Sequence, residues 1–232
     1  MAEAEQLSYR DGMAALTGLL YRPTGSPRAA VTVFPTIKNT TAAVEAKAQA
    51  LVDAGYLTMV ADFYGTTPGD MEEAYRLANA LTAEPVPYRA RLRAAVAALE
   101  ELAPESPLVA MGFCMGGQAA LELARDGAEL VLAASFHGLL ETKAPAQPGV
   151  VKARILVCHG DADPLAPREH VSRFWEEMDR AGANWHFHSY AGVRHSFTNP
   201  DPPAGNPALA YNASADRQSW AALLSLFDEV LS

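Results

Sequence analysis

The chain has 232 residues, half of them hydrophobic and 19% charged, the balance of a globular protein that folds without cross-links or metals. Disorder, collagen-like repeats and small cysteine-stapled scaffolds are thereby excluded. Its 18 basic and 27 acidic residues leave a net charge of −9, which argues against any general affinity for a nucleic-acid backbone.

The only two cysteines, Cys114 and Cys158, stand far apart inside apolar runs, as in a reducing compartment rather than a disulfide framework. Acids occupy the first residues, where a secretion signal needs a basic segment. No apolar run reaches the roughly 18 residues of a membrane span. These features predict one cytoplasmic domain over residues 1–232 with no membrane contact, and they leave the oligomeric state open.

In chain order, residues 6–22 alternate apolar and polar around Asp11-Gly12, the pattern of an antiparallel hairpin. The run 29–34 is short, apolar and β-branched, as in a strand covered on both faces. Residues 41–54 place Val44, Ala48, Leu51 and Val52 at helical spacing, with Gly55 as a stop. A second buried strand follows at 57–61, then helices over about 70–83 and 88–102, the latter opened by Pro87. Further strands are expected at 108–112, 130–136, 154–159 and 185–190. Helices are expected at 115–125, 168–180 and 213–231. Strands alternating with helices predict an α/β protein with a mostly parallel, doubly wound sheet, the hairpin adding antiparallel strands. The Pro/Gly-rich stretches 141–150 and 199–207 read as surface loops.

One turn carries chemistry. Gly112-Phe113-Cys114-Met115-Gly116-Gly117 sits where a strand must turn sharply into a helix. Small residues let the two backbones approach, and the residue at the apex is lifted clear of the sheet. This is the G-x-nucleophile-x-G elbow with cysteine in place of serine. An acid candidate, Asp163, follows the strand 154–159, and His195 follows the strand 185–190. That order, nucleophile then acid then histidine, is the order of α/β-hydrolases, and both fall beyond strand C-termini, where open sheets place their sites. Asp161 rivals Asp163, which the Gly160-x-x-Asp163 spacing favours. In this reading His195 takes the thiol proton, Asp163 holds the imidazole, and the Met115 amide donates to the oxyanion. A second oxyanion donor is expected from the loop after strand 29–34, at the Ile37 amide. Cys158 reads as a buried core residue. His186 and His188 share one strand face without a carboxylate or cysteine partner, so no metal site is expected.

The elbow, the Gly160-to-Asp163 loop, the His195-Ser196-Phe197 segment and the Asp53-to-Tyr64 passage together resemble dienelactone hydrolase, in order and over nearly the whole chain. The resemblance implies an α/β-hydrolase fold that cleaves a small lactone or ester through a Cys-His-Asp triad, with no metal or cofactor. A broader carboxylesterase or thioesterase, and a hydrolase-fold protein that only binds, are the alternatives. Members that act on dienelactone carry a glutamate where this chain has Thr36, and an arginine where it has Asn199. Those two departures predict that neutral lactones are turned over better than carboxylated ones, unless an arginine from the 76–93 region (Arg76, Arg89, Arg91 or Arg93) supplies a cation. Tyr64, Tyr88 and His137 are further candidates for the pocket wall.

Overall fold

The computed structural model describes residues 3–232. Its eight strands form one sheet in the order β1-β2-β4-β3-β5-β6-β7-β8. The hairpin of β1 (Glu5–Asp11) and β2 (Ala14–Tyr21) is antiparallel, and β2 joins β4 (Leu57–Val60) antiparallel. Every other pairing is parallel, through β3 (Ala30–Phe34), β5 (Leu108–Phe113), β6 (Leu132–Phe136), β7 (Arg154–Gly160) and β8 (Trp185–Tyr190). The architecture is the α/β-hydrolase type anticipated above.

Side chains alternate across each strand, so successive residues feed opposite layers. On β3, Ala30 and Phe34 enter one core, and Val31 and Val33 the other. The second core packs under α1 (Ala42–Asp53) and α6 (Ala213–Val230), through Leu51, Leu223 and Phe227. The first packs under α3 (Pro85–Glu100), α4 (Met115–Arg125) and α5 (Arg168–Ala181), through Leu92, Leu123 and Phe174. The short α2 (Met71–Leu81) buries only Ala74 and Ala78.

Local chemistry sets the helix ends. Thr41, Asp70 and Asn212 cap α1, α2 and α6 by accepting backbone N–H groups. Gly182 ends α5 in the left-handed conformation. Several boundaries shift by one to three residues from the sequence reading, and at the start of α3 Pro85, not Pro87, is the first residue. Both prolines are tolerated because first-turn N–H groups have no intrahelical acceptor.

Candidate active site

The elbow is built at the C-terminal end of β5, between β3 and β6. Cys114 has φ 59° and ψ −120°, a region that a residue with a side chain occupies only when its surroundings enforce it. The flanking glycines are required by space. A Cβ on Gly112 would collide with the carbonyls of Gly116 and Phe34, and one on Gly116 with those of Phe34 and Pro35. The Cys114 N–H is shared between Phe136 O at 3.0 Å and His137 Nδ1 at 3.1 Å. Its thiol is partly buried at the start of α4.

Two loops bring the other groups to it. Asp163 Oδ2 lies 2.7 Å from His195 Nδ1, and both side chains are buried. Asp163 Oδ1 accepts the Leu165 N–H at 2.8 Å, which holds the carboxylate plane. Asp161 instead pairs with Arg168 at 2.9 and 2.7 Å on the surface, away from the imidazole. The His195 backbone is pinned from both sides, its N–H donating to Ala208 O and its carbonyl accepting from Ala210.

The loop after β3 supplies the facing wall. The N–H groups of Met115 and Ile37 both favour the ionised form of the Cys114 sulfur. Ile37 is placed by a buried network that spacing alone does not reveal. Asn39, at φ 64°, donates to Asp62 Oδ1 at 2.8 Å and accepts the Phe63 N–H. Asp62 also gathers the N–H groups of Thr17, Tyr64 and Gly65. The Tyr64 hydroxyl donates to Ile37 O at 3.1 Å, so Tyr64 stands behind the loop.

Electrostatics couples the thiol and the imidazole. Burial opposes ionisation of Cys114, but attraction to His195 and the N–H groups of Met115 and Ile37 outweigh it and lower its pKa. Burial likewise opposes charge on His195, yet Cys114 and Asp163 raise it to about 10. The two shifts act together, biasing the pair toward thiolate and imidazolium. His195 Nε2 makes no aligned hydrogen bond to a described residue, and Coulomb attraction to Cys114 is the largest influence raising its pKa. A thiolate between two N–H donors, with a proton on the adjacent imidazole, can attack an acyl carbon and protonate a leaving group.

The family model for the dienelactone hydrolase family matches residues 16–231. The chain belongs to the dienelactone hydrolase family. A solved structure named m3DLH is 35% identical, covers 99% of each chain and superposes with a TM-score of 0.91. A dienelactone hydrolase-like promiscuous phosphotriesterase from metagenomic libraries is 32% identical, with the same coverage and TM-score. An uncharacterised Caenorhabditis elegans protein is 35% identical over 61% of this chain and 93% of its own.

Within that dienelactone hydrolase frame, the remaining candidates separate. Thr36, His137 and Asn199 line a cleft of about 160 Å³ over Cys114 and His195. Thr36 accepts the Lys38 N–H and donates to Asn39 O, so its hydroxyl braces the loop. Tyr88 is not in this cleft. It continues the Leu92, Val96 and Leu99 stripe of α3 and is buried beside Glu122. The four arginines also lie elsewhere. Arg76 pairs with Glu73, Arg89 with Glu122, Arg91 with Asp11 and Arg93 with Asp126. The cations that do line the cleft are Lys38 and Lys47. Lys47 is held by Asp216 at 2.6 Å, whereas Lys38 is exposed with no ion-pair partner among the described residues. The stretch 199–207 is more than a surface loop, since Pro203 and Asn206 join Leu209 in the lining, opposite Met71 and Tyr75 of α2. Sequence reasoning missed these residues, because no periodicity marks a loop that folds back on a site. Their exposed apolar atoms are the only signal, visible once the surface is known. Among the described residues no group of three or more His, Cys, Asp or Glu is placed to hold a metal ion, and no helix is long and apolar enough to cross a membrane.

Proposed function

We propose that this hydrolase-family protein cleaves a small lactone or carboxylic ester through Cys114, His195 and Asp163. The observation that carries the reading is the positive-φ elbow whose thiol meets a buried, aspartate-held imidazole and two N–H donors from separate segments. Cys114 Sγ attacks the acyl carbon, forming the C–S bond and moving the carbonyl electrons onto oxygen, where the Met115 and Ile37 N–H groups receive them. As the oxyanion collapses, the C–O bond breaks and the leaving alkoxide takes the proton from His195 Nε2. Water then attacks the acyl-thioester, gives its proton to His195, and releases the acid and the thiolate. Asp163 keeps the imidazole in one tautomer and balances its charge.

The cleft's small volume and its mixed lining of Ile37, Met71, Tyr75 and Leu165 against a few polar groups suit a compact, largely neutral acyl group. Lys38 narrows the case for a neutral substrate without reversing it. An exposed ammonium contributes about 0.2–1 kcal/mol, at most roughly fivefold, which is less than a buried arginine fork. A neutral lactone is therefore expected to show the higher kcat/KM of a matched pair that differs only in a carboxylate.

The test is a panel of activated esters and lactones with Cys114→Ala and Cys114→Ser controls, and mass spectrometry of the acylated protein. The reading expects turnover, a covalent acyl adduct on Cys114 and a loss of at least about 10⁴-fold in Cys114→Ala. Undiminished turnover in Cys114→Ala would overturn it. A second reading has one specific support, the phosphotriesterase at 32% identity. An aryl phosphotriester in the same panel, turned over faster than every carboxylic ester, would favour that reading.

A further inference from the structure

A second imidazole reaches the cleft, and the proposed reaction gives it no step. His137 stands at the end of β6 with φ 41°, a left-handed conformation unusual for a residue with a side chain. Its own N–H donates to Cys158 O at 2.8 Å, which anchors it to β7. The ring is buried and both nitrogens are engaged, Nδ1 with the Cys114 N–H at 3.1 Å and Nε2 with Thr198 Oγ1 at 2.8 Å.

Chemistry then assigns the proton. A backbone amide can only donate, so Nδ1 must carry a bare lone pair. In a neutral ring the hydrogen is therefore on Nε2, and it points at the Thr198 hydroxyl. Burial, and then the charge on His195, hold His137 well below the ordinary histidine range, which preserves this tautomer. The titratable or charged groups facing the ring are Cys114 from the elbow, His195 from the loop after β8 and Lys47 from α1. The ring also meets His195 edge-on, with centroids 5.1 Å apart.

The chain of bonds runs Cys114 N–H to Nδ1, then Nε2–H to Thr198. Thr198 lies three residues beyond His195 on the same loop. We propose that His137 is a positioning residue, a strap that ties the strained backbone of Cys114 to the loop carrying His195 and so sets the approach of thiol and imidazole. This rests on the thiolate reading of Cys114 given above. A histidine that merely filled space would need neither nitrogen bonded, and replacing Thr198 by an isosteric residue without a hydroxyl would then change nothing.

The experiment compares wild type, Thr198→Val, His137→Asn, His137→Phe and the Phe/Val double variant. Each is checked for folding by circular dichroism. For each, kcat and KM for one activated ester are measured, together with the pH profile of Cys114 alkylation by iodoacetamide, which requires no substrate. Thr198→Val is expected to lower kcat about tenfold with KM within about twofold, and to move the alkylation midpoint to higher pH. His137→Phe is expected to lower kcat about 100-fold. His137→Asn, whose Oδ1 can take the Cys114 N–H, should recover part of that loss. The double variant should be no worse than His137→Phe, because both changes cut one strap.

Wild-type kcat and an unmoved alkylation profile in Thr198→Val would overturn the proposal. So would losses that multiply in the double variant. If His137→Phe does not fold, Thr198→Val and His137→Asn decide on the same criteria. Activity that survives Cys114→Ala would sink the catalytic reading instead, and the alkylation profiles would still test the strap.

Discussion

The molecule holds two cysteines, on or just after strands two places apart in the sheet, and their fates are opposite. Cys114 follows β5 at a backbone angle that turns it out of the sheet, against two N–H donors and a charged imidazole. Cys158 lies within β7, fully buried between layers, and burial pushes its thiol up to about 12. The same side chain is favoured toward ionisation in one place and packs as a small hydrophobe in the other. The difference comes from backbone conformation, nearby charge and access, since Cys114 borders the cleft and Cys158 does not. Burial alone raises a thiol's pKa. It is lowered only where a partner charge outweighs the desolvation.

Alkylation offers the sharpest test of this contrast. At pH 8 a thiol titrating at about 12 is ionised to about one part in 10⁴, whereas the Cys114 pKa is lowered below that of a free thiol. Iodoacetamide followed by peptide mapping is expected to label Cys114 at least about 10³-fold faster. The pH dependence has a defined sign. Labelling of Cys114 falls only when pH drops through its lowered pKa, and kcat/KM falls again as His195 loses its proton near about 10. Equal labelling of the two thiols would end the comparison.

Breaking the partner charge is the next largest effect. Asp163→Asn leaves His195 without its orienting carboxylate, and kcat should fall by about 10³-fold with the fold intact. Asp161→Asn, which breaks only a surface pair with Arg168, should cost less than about twofold. Steady-state kinetics of the two variants decides between the carboxylates, and the reverse ranking would show that the wrong one had been chosen.

The smallest effect is on the inert thiol. Cys158→Ala removes one buried sulfur and leaves a small void, at a cost of about 1 kcal/mol. In a chain of this length that lowers Tm by about 2–4 °C. Thermal unfolding should show the shift while kcat stays at the wild-type value. A loss of kcat at Cys158 would mean that the two cysteines are coupled through the Cys158 carbonyl and the His137 N–H.

Much of the fold was legible because its signals are local. The apolar run of β3 stands between Pro/Gly breaks, and α1 shows its inward stripe at Val44, Ala48 and Leu51. The elbow was legible for the same reason, since Gly112 and Gly116 flank a turn that tolerates no Cβ. Tyr88 was misplaced because its α3 stripe faces the core, while only tertiary packing says which core lies beneath the cleft. The arginines of α2 and α3 are candidate substrate contacts by sequence, but Arg76 pairs with Glu73 on its own helix and the other three find carboxylates on neighbouring segments. Beyond Asn199 the loop gave no warning that Pro203 and Asn206 return to the cleft, because the bonds that anchor its end to His195 come from the backbone of Ala208 and Ala210, atoms that any residue provides.

By itself the sequence determined the alternation of strands and helices, the elbow, and the order of thiol, acid and imidazole. Each depends on residue type at short range: a β-branched run, a glycine where backbones touch, a titratable side chain at a strand end. Only the tertiary structure decided which charges meet. It placed Lys38 and Lys47 in the cleft, sent the arginines elsewhere, turned Asp62 and Asn39 into the brace of Ile37, and joined Cys114 to Thr198 through His137. The physical reason is range. Propensity and steric fit act over a few residues, while hydrogen bonds and Coulomb attraction depend on distances of a few ångströms between segments tens of residues apart.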